Sequence, residues 1–256
     1  MDDDAELSFG FGISHDLLTA AMDREDVFVK GFLKPLVDDF KFERIRARLE
    51  LYSASFGQKD DAEQWSDYAD GGSGVAIGLA PGFFVLSNTK DPKPEEIMFL
   101  GKVFYGEADA KVRHAGIIDS AIWTIKQAYR RSLLSNAQDE EEFLHHMAAE
   151  MYVEILWNSV TSKASKWSHQ GETRLLAMND LKNPKLEIHN AEKRPRVELA
   201  QPLLKKNIAE VMLGPNADDT ANLRVRTFLD QNQLPHVPVT AATAQLSEEG
   251  SKGSDC

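Results

Sequence analysis

The feature that most constrains the fold is a long stretch of helical periodicity that separates two groups of strand-like segments. Within this stretch, apolar side chains recur every three to four residues and form two helical faces. One face contains Ile117, Ile118, Ile122, Ile125 and Tyr129, and the other contains Phe143, Met147, Met151, Ile155 and Leu156. Residues 136–139 separate the two faces, so we expect two antiparallel helices here. The regular strand–helix alternation of a doubly wound fold is lacking.

The segments on either side of this stretch complete the predicted architecture. A first helical region begins at Ser14, as the N-cap, and continues to about Leu49. A short helix or a turn is predicted over 59–69, a final amphipathic helix over 219–231, and a buried strand over 75–79. The other strand-like segments are 49–56, 97–105, 172–178, 186–189, 196–199 and 207–213. The sequence therefore predicts an α+β fold, with a mixed, mostly antiparallel sheet and a helical insert between early and late strands.

Length and composition suit one globular domain. The chain has 256 residues, of which 42% are hydrophobic and 27% are charged. We expect a single α+β domain over residues 1–235 and a polar, disordered tail over residues 236–256. The tail is assigned because residues 245–256 contain almost nothing apolar to bury.

Charge and cysteine content exclude several classes of protein. The formal net charge is −12, and the basic residues form no convincing stripe, so no stable nucleic-acid complex is expected. No apolar run approaches the roughly 18 residues of a membrane span, and the first residues lack the features of a secretory signal. The only cysteine, Cys256, supports neither a disulfide framework nor a thiolate metal site. We expect a cytoplasmic protein without a membrane partner or a metal; the sequence leaves its oligomeric state open.

The common nucleotide and nucleophile motifs are also lacking. The sequence contains no Gly-x-x-x-x-Gly-Lys phosphate loop, no Gly-x-Gly-x-x-Gly followed by a helix and no Gly-x-Ser-x-Gly elbow. His145 and His146 are neighbours on a predicted helix and point in different directions, so they cannot chelate one ion together. The chemistry must therefore be sought in other stretches of the chain.

The first stretch that stands out runs from Ser53 to Tyr68. Its strand ends in small hydroxyl residues and Gly57, which leave the backbone open to a ligand. Trp65 and Tyr68 are three residues apart and therefore share a face of the short helix. Their rings can either line a binding site or cover the sheet as part of the core, and for Trp65 the two alternatives are evenly matched.

The second stretch runs from Trp167 to Arg174. Residues two apart in a strand point to the same side, so Gln170, Glu172 and Arg174 would form one polar row. A polar row beside apolar residues indicates a face that lines a cleft. The alternative is a solvated edge strand with a Glu–Arg pair, and the pattern alone favours this alternative.

Several short motifs in a fixed order carry a resemblance to a known family. They are Ser-Phe at a strand end, Asp-x-x-x-Trp-x-x-Tyr-Ala, Gly-Val-Ala-Ile-Gly, Lys-x-x-x-Trp-x-x-x-x-Glu-x-Arg and Ile-x-x-Val-x-Leu-Gly-Pro. Together they resemble the bacterial family catalogued as domain of unknown function 2971, over roughly Asp2 to Leu229. This sequence departs from the family at Gln170, where the family usually carries an acid, and the comparison implies that the family's first strand is missing.

The family's pattern in turn looks like the layout of ADP-ribosyltransferases, which have an early Arg or His, a Ser-x-Ser strand end and a later Glu/Gln-x-Glu. The resemblance implies that NAD is the substrate. Its nicotinamide–ribose bond breaks through an oxocarbenium-like state, whose positive charge a carboxylate stabilises. By this resemblance Glu172 would stabilise that charge, Gln170 would orient the acceptor, and Ser55 would brace Glu172 or the ribose.

The resemblance also implies which residues bind NAD. Phe56 or Trp65 would stack on the nicotinamide ring. The implied NAD-binding residues are Ser53, Phe56, Trp65, Tyr68 and Arg174. No residue fills the position of the early arginine clearly, and Arg46 and Arg48 are candidates by position alone.

These observations give two hypotheses of different classes. The first is an NAD-dependent ADP-ribosyltransferase-like domain that modifies a macromolecular acceptor, as a bacterial toxin or phage-defence effector. The alternative is a non-catalytic sensor or interaction module that binds a nucleotide or a peptide in the same cleft. A nuclease is disfavoured, because a Mg²⁺-type carboxylate cluster and a basic surface are both lacking.

The site hypothesis makes two structural predictions. The strands that contain Ser55 and Glu172 should be neighbours in one sheet, and their side chains should converge with Gln170 on one cleft. In addition, Trp65 or Trp167 should border this cleft with an exposed ring edge, because both lie in polar local sequence. A Glu172 side chain that faces bulk solvent would exclude the enzyme.

Overall fold

The structure, a computed structural model, describes residues 4–80, 98–134, 136–180, 188–191, 194–197 and 207–246. The helices are α1 (Asp4–Arg24), α2 (Val27–Asp39), α3 (Phe42–Arg48), α4 (Ala62–Tyr68), α5 (Glu107–Arg130), α6 (Ala137–Val160) and α7 (Ala221–Gln231). The strands are β1 (Leu49–Phe56), β2 (Val75–Leu79), β3 (Met98–Lys102), β4 (Phe104–Tyr105), β5 (Ser162–Lys163), β6 (Thr173–Asp180), β7 (Ile188–Ala191), β8 (Arg194–Val197), β9 (Ile208–Leu213) and β10 (Val239–Ala241).

The chain has the α+β fold that the sequence predicts, with helices α5 and α6 between strands β4 and β5. Its residues gather into two compact units. Unit 1 comprises Met1–Ser55, Phe99–Ser168 and Thr173–Glu187, and unit 2 comprises Phe56–Met98, His169–Glu172 and Ile188–Cys256. The single domain over residues 1–235 stays a prediction, because compact units of one chain can belong to one domain or to two. No helix among the described residues is long and apolar enough to cross a membrane.

Unit 1 is built around the long helices α1, α2, α5 and α6. The buried core includes Phe11 and Leu18 of α1, Ile118 of α5 and Ile155 of α6. The sheet of this unit has the order β1-β6-β3, so β6 lies in its centre, and β4 pairs with β5 in parallel. Helical periodicity therefore predicted the core-facing sides of α5 and α6 correctly.

The start of the first helix differs from the sequence prediction. Ser14 lies inside α1, which begins at Asp4, so its assignment as an N-cap was wrong. Its side chain is fully buried, and its hydroxyl donates to the carbonyl of Gly10 one turn earlier, at 3.0 Å. Because the Ser14 hydroxyl forms hydrogen bonds with buried groups, serine is accommodated in the interior of the helix and does not mark its start. The observed N-cap in this region is Asp26, whose carboxylate accepts from the backbone at the start of α2.

A buried polar cluster joins three helices of unit 1. The hydroxyl of Ser14 lies 2.7 Å from Nδ1 of His114 on α5 and 2.6 Å from the hydroxyl of Ser159 on α6. All three side chains are 0% exposed. Burial penalises the imidazolium form and lowers the pKa of His114 to about 4, so the ring is neutral near pH 7.

Unit 2 contains a three-stranded sheet with the order β10-β9-β2. Strand β2 is antiparallel to β9, whereas β10 is parallel to β9 and is connected to it through α7. Its small core contains Val211, Leu229, Leu234 and Val237. Strands β7 and β8 pair with each other in antiparallel fashion.

Two predictions for this unit need correction. Strand β2 was predicted to be buried, but Val75 and Ile77 are 44% and 59% exposed, because β2 lies at one end of the strand order. The disordered tail was predicted from residue 236, yet β10 pairs with β9 and Val237 is 0% exposed. Burial of the apolar side chains of Val237 and Val239 favours packing of this segment. The rest of the predicted tail, from residue 247, lies outside the described residues.

Candidate functional site

Helix α4 is defined by clear signals at both ends. Asp61 is its N-cap, and the Asp61 carboxylate accepts from the backbone N–H of Gln64 at 3.0 Å. Tyr68 is its last residue. The chain then turns through left-handed backbone conformations, with φ of 59° at Gly71 and 85° at Gly72. Glycine adopts these angles at low cost, which favours the turn that follows the helix.

The two aromatic side chains of α4 lie in different surroundings. Trp65 is only 4% exposed, and its indole Nε1 donates to the carboxylate of Asp60 at 2.9 Å. Tyr68, by contrast, is 73% exposed. Of the two alternatives for Trp65, the structure shows the core residue. The exposed ring of Tyr68 is the one on α4 that a ligand could stack on.

The second predicted stretch does not form the polar row that its spacing suggested. Gln170 ends the 3₁₀ helix Ser165–Gln170, and β6 begins only at Thr173. Between them, Gly171 has a left-handed φ of 49°, and a Cβ atom there would lie 2.2 Å from Nε2 of Gln58. The strict alternation of a strand therefore does not apply to Gln170 and Glu172.

The burial of these residues excludes the solvated edge strand. Gln170, Glu172 and Arg174 are 5%, 3% and 2% exposed. Strand β6, which contains Arg174, lies between β1 and β3 and is not an edge strand. Charged side chains are rarely buried to this extent without a specific reason. The sequence could not reveal this burial, because polar residues between apolar segments are typical of solvated strands.

Helix α4 holds the segment of Gln170 through several contacts within unit 2. The carbonyl of Gln170 accepts from Nε2 of Gln64 at 2.9 Å and from the backbone N–H of Gln58 at 3.3 Å. The side-chain amide of Gln170 donates to the Tyr68 hydroxyl at 3.4 Å. His169 lies 2.8 Å from the carboxylate of Glu63. The two predicted stretches are thus brought together by α4 and residues 169–170.

Arg174 is held inside unit 1. Its Nη1 donates to the carbonyl of Val160, at the end of α6, at 2.6 Å. Burial lowers the pKa of Arg174 to about 10, so its guanidinium stays charged near pH 7. The Val160 carbonyl thus satisfies one of the hydrogen-bond donors of the Arg174 guanidinium. A contact between Arg174 and NAD stays a prediction.

The residues of β1 lie beside β6 in the sheet. Ser55 is exposed, and Ser53 and Phe56 are partly exposed. The two strands predicted around these residues are neighbours, since β1 and β6 are adjacent, but Glu172 itself lies one residue before β6 and is not part of the strand. Ser55 belongs to unit 1 and Glu172 to unit 2, and their convergence stays a prediction.

Trp167 is the other tryptophan that was predicted to border the cleft, and its side chain is partly exposed. The ammonium groups of Lys163 and Lys166 lie 5.7 Å and 5.1 Å from the centre of its ring. Such distances allow cation–π attraction, which stabilises the ring in a polar part of unit 1. Of these two tryptophans, Trp65 is buried and Trp167 is not. The expected cleft beside Trp167 stays a prediction.

Asp60 lies within the first predicted stretch, but sequence reasoning assigned it no role. Its carboxylate accepts hydrogen bonds from Thr243, Trp65 and Ala244, which hold its pKa at about 2, far below the ordinary value for aspartate. The residue has a left-handed φ of 58°, which aspartate tolerates better than most residues. Nothing in the local sequence pointed to its partners Thr243 and Ala244 near the end of the described chain.

Comparison with known proteins gives one family match. A model of the family described as "Protein of unknown function (DUF2971)" matches residues 64–175. The matched segment includes most of α4, both long helices of the insert, Gln170 and Glu172, and it is shorter than the similarity predicted from the motifs. No curated protein and no solved structure matches the chain.

Proposed function

We propose, with the match over residues 64–175 as the premise, that this chain is an NAD-dependent ADP-ribosyltransferase-like domain. It would transfer ADP-ribose from NAD to a macromolecular acceptor, as a toxin or phage-defence effector. The bond that breaks joins nicotinamide to the ribose, and the bond that forms joins the ribose to a nucleophilic atom of the acceptor. Nicotinamide leaves with the electron pair of the broken bond, and the acceptor loses a proton.

The observation that supports this proposal best is the burial of Glu172. At 3% exposure its carboxylate is largely removed from bulk water, which excludes the solvent-facing position that would rule out the enzyme. A charge in such surroundings interacts more strongly with an oxocarbenium-like state than a charge in water does. Glu172 is proposed to stabilise that state, and Gln170, two residues earlier, to orient the acceptor.

The exposed ring of Tyr68 adds a second element to the proposal. A ring that is 73% exposed offers a flat surface on which a nitrogen heterocycle of NAD can stack. Its hydroxyl is within hydrogen-bond distance of Gln170, at 3.4 Å, so the stacking surface and the acceptor-orienting residue are neighbours. NAD enters the proposal as a substrate, and no resident cofactor is required.

The direct test is incubation of the protein with doubly labelled NAD, with nicotinamide release and transfer of ADP-ribose recorded in one experiment. Purified protein and candidate acceptor mixtures should release nicotinamide and incorporate label. Glu172→Gln should abolish both signals, whereas Glu141→Gln, which makes the same change on the exposed surface of α6, should leave them unchanged. Absence of turnover by the unaltered protein in every acceptor mixture would overturn the proposal.

A second candidate function is favoured by the same burial. Glu172 and Arg174 are charged side chains at 3% and 2% exposure, and buried charges can specify one conformation of a binding surface without taking part in chemistry. A non-catalytic module would bind a nucleotide or a peptide at Tyr68. Calorimetry that detects binding of NAD without nicotinamide release would support this candidate over the enzyme.

A further inference from the structure

The loop before α4 is fastened to a segment near the end of the described chain. One oxygen of the Asp60 carboxylate accepts from the backbone N–H of Thr243 at 2.7 Å, from the Thr243 hydroxyl at 2.5 Å and from the N–H of Ala244 at 3.2 Å. The other oxygen accepts from the indole of Trp65 at 2.9 Å. We call residues 242–246 the C-terminal strap.

A carboxylate suits this position for a physical reason. All four groups that face Asp60 are donors, and an ionised carboxylate is a side chain that only accepts. An amide in its place would retain one acceptor oxygen and would turn an NH₂ group towards donors. The hydrogen bonds from Thr243 hold the pKa of Asp60 at about 2, so the carboxylate is ionised throughout the neutral range.

The strap also contacts the other end of α4. Leu246 lies against the turn that follows the helix, where a Cβ atom added to Gly72 would come within 2.8 Å of Cδ1 of Leu246. The strap itself is anchored to the sheet, because the N–H of Ala242 donates to the carbonyl of Leu213 at 2.8 Å. Both the start and the end of α4 are therefore held by the same short segment.

A salt bridge secures the same loop to the sheet from its other side. Lys59 lies 2.7 Å from the carboxylate of Glu210 on β9, and the Thr240 hydroxyl on β10 lies 3.4 Å from the same carboxylate. The loop of Lys59 and Asp60 is consequently tied to β9, to β10 and to the strap. Without the strap, the loop would be held to the sheet by the partly exposed Lys59–Glu210 ion pair, and such a pair contributes little to stability by itself.

We infer that Asp60 is a positioning residue, which sets the place of helix α4, and through it of Gln170, by binding the C-terminal strap. The helix transmits this position because Gln64 and Tyr68 both contact Gln170. The inference concerns regulation of the proposed site and, for its effect on NAD, rests on the proposed function. Any event that displaces the strap would loosen α4 and misplace Gln170.

The test compares four variants by hydrogen–deuterium exchange of the full chain. Asp60→Asn and Thr243→Val should each accelerate exchange of the α4 amides about tenfold, while the amides of α5 keep their rate. Asp67→Asn removes the same charge at an exposed position of α4 and should leave exchange unchanged. Thr243→Ser keeps the hydroxyl and should restore the slow exchange, which a general loss of packing would not do.

Steady-state kinetics of the same variants test the effect of the strap on the proposed activity. In the strap variants the KM for NAD or acceptor should rise several-fold while kcat changes less, because Glu172 itself is unaltered. Unchanged α4 exchange in both Asp60→Asn and Thr243→Val would overturn the inference, and Thr243→Val decides the matter if Asp60→Asn does not fold. A chain that shows no NAD turnover but retains strap-dependent exchange would overturn the proposed function alone.

Discussion

Glu172 is the residue on which the two candidate functions differ most. Substitution by Gln preserves its shape and one acceptor oxygen but removes the negative charge. If this charge stabilises an oxocarbenium-like state, turnover should fall about 10²–10³-fold. We expect this loss of turnover with a thermal midpoint close to that of the unaltered protein, measured by nicotinamide release and by thermal unfolding.

The opposite pattern would identify Glu172 as a structural residue. Removal of one partner from a buried ionic network typically costs about 3–5 kcal/mol, which would lower the thermal midpoint clearly. Arg174→Met offers a comparison, because it removes the buried cation while leaving the Glu172 carboxylate in place. A large loss of stability for Glu172→Gln with turnover intact would contradict the catalytic role.

His114 gives a pH-dependent contribution to the stability of the protein. Burial lowers its folded-state pKa to about 4 from an ordinary value of 6.5, so the unfolded chain binds a proton first as the pH falls. The contribution is therefore fully present above about pH 6.5 and is lost as the pH falls towards about 4, by about 3 kcal/mol in total. Urea unfolding at pH 7 and pH 5 should show this difference.

The matched variant for this measurement is His114→Gln, which keeps a polar side chain but does not titrate in this range. Carboxylates also lose charge as the pH falls, so the informative quantity is the difference in pH dependence between the two proteins. The variant should be less stable at pH 7 and should lose less of its stability between pH 7 and pH 5. Equal pH dependence in both proteins would show that His114 is not the titrating group.

At the scale of the helix, α1 contains two glycines with opposite surroundings. A Cβ atom added to Gly10 would lie 2.0 Å from the backbone carbonyl oxygen of Ser159, whereas one added to Gly12 has nothing within 4 Å. Gly10→Ala should push α1 away from α6 and destabilise the protein by about 1–3 kcal/mol. Gly12→Ala should stabilise it by about 0.5–1 kcal/mol, because alanine favours a helix.

Chemical denaturation of both glycine variants tests this contrast directly. The two substitutions are the same chemical change in the same helix, so the difference between their midpoints reports the approach of α1 to α6 alone. Equal effects of the two substitutions would contradict the close approach. The Ser14 cluster should be disturbed only in Gly10→Ala, since the Gly10 carbonyl accepts from the Ser14 hydroxyl.

Elements with strong local signals were predictable from the sequence. The strand over Leu49–Phe56 was predicted with the bounds that the structure shows, and the two long helices α5 and α6 were predicted from two apolar faces. The errors occurred where tertiary contacts override local pattern. Ser14 forms its hydrogen bonds inside the fold, and the left-handed Gly171 interrupts the period of two that Gln170 and Glu172 were assumed to follow.

The connections between the two stretches of the candidate site were not predictable from the sequence. The two stretches were found from local pattern, as a strand end with small hydroxyl residues and as a polar row beside apolar residues. Their actual contact, between Gln170 and residues of α4, joins positions 102 and 106 apart in sequence. The role of Asp60 was not predicted, because its partner Thr243 is 183 residues away. Periodicity and spacing describe neighbours along one element and contain no information about such pairs.

At the scale of the whole molecule, charge is the property with the widest effect. The net charge of −12 repels phosphate at long range, and screening by salt weakens this repulsion without turning it into attraction. We expect no shift of a labelled DNA duplex at micromolar protein and 0.15 M salt, in a gel-mobility assay. A salt-dependent shift would show that a local basic surface outweighs the net charge.

The hydrogen bonds between Asp60 and Thr243 also limit when the start of α4 can be held in place during protein synthesis. Residues near position 60 leave the ribosome long before Thr243 is translated, because 183 residues separate the two. Until then Asp60 lacks three of its hydrogen-bond donors, and the start of α4 is not held. During synthesis, the start of α4 can therefore be held by the strap only after translation has passed Ala244.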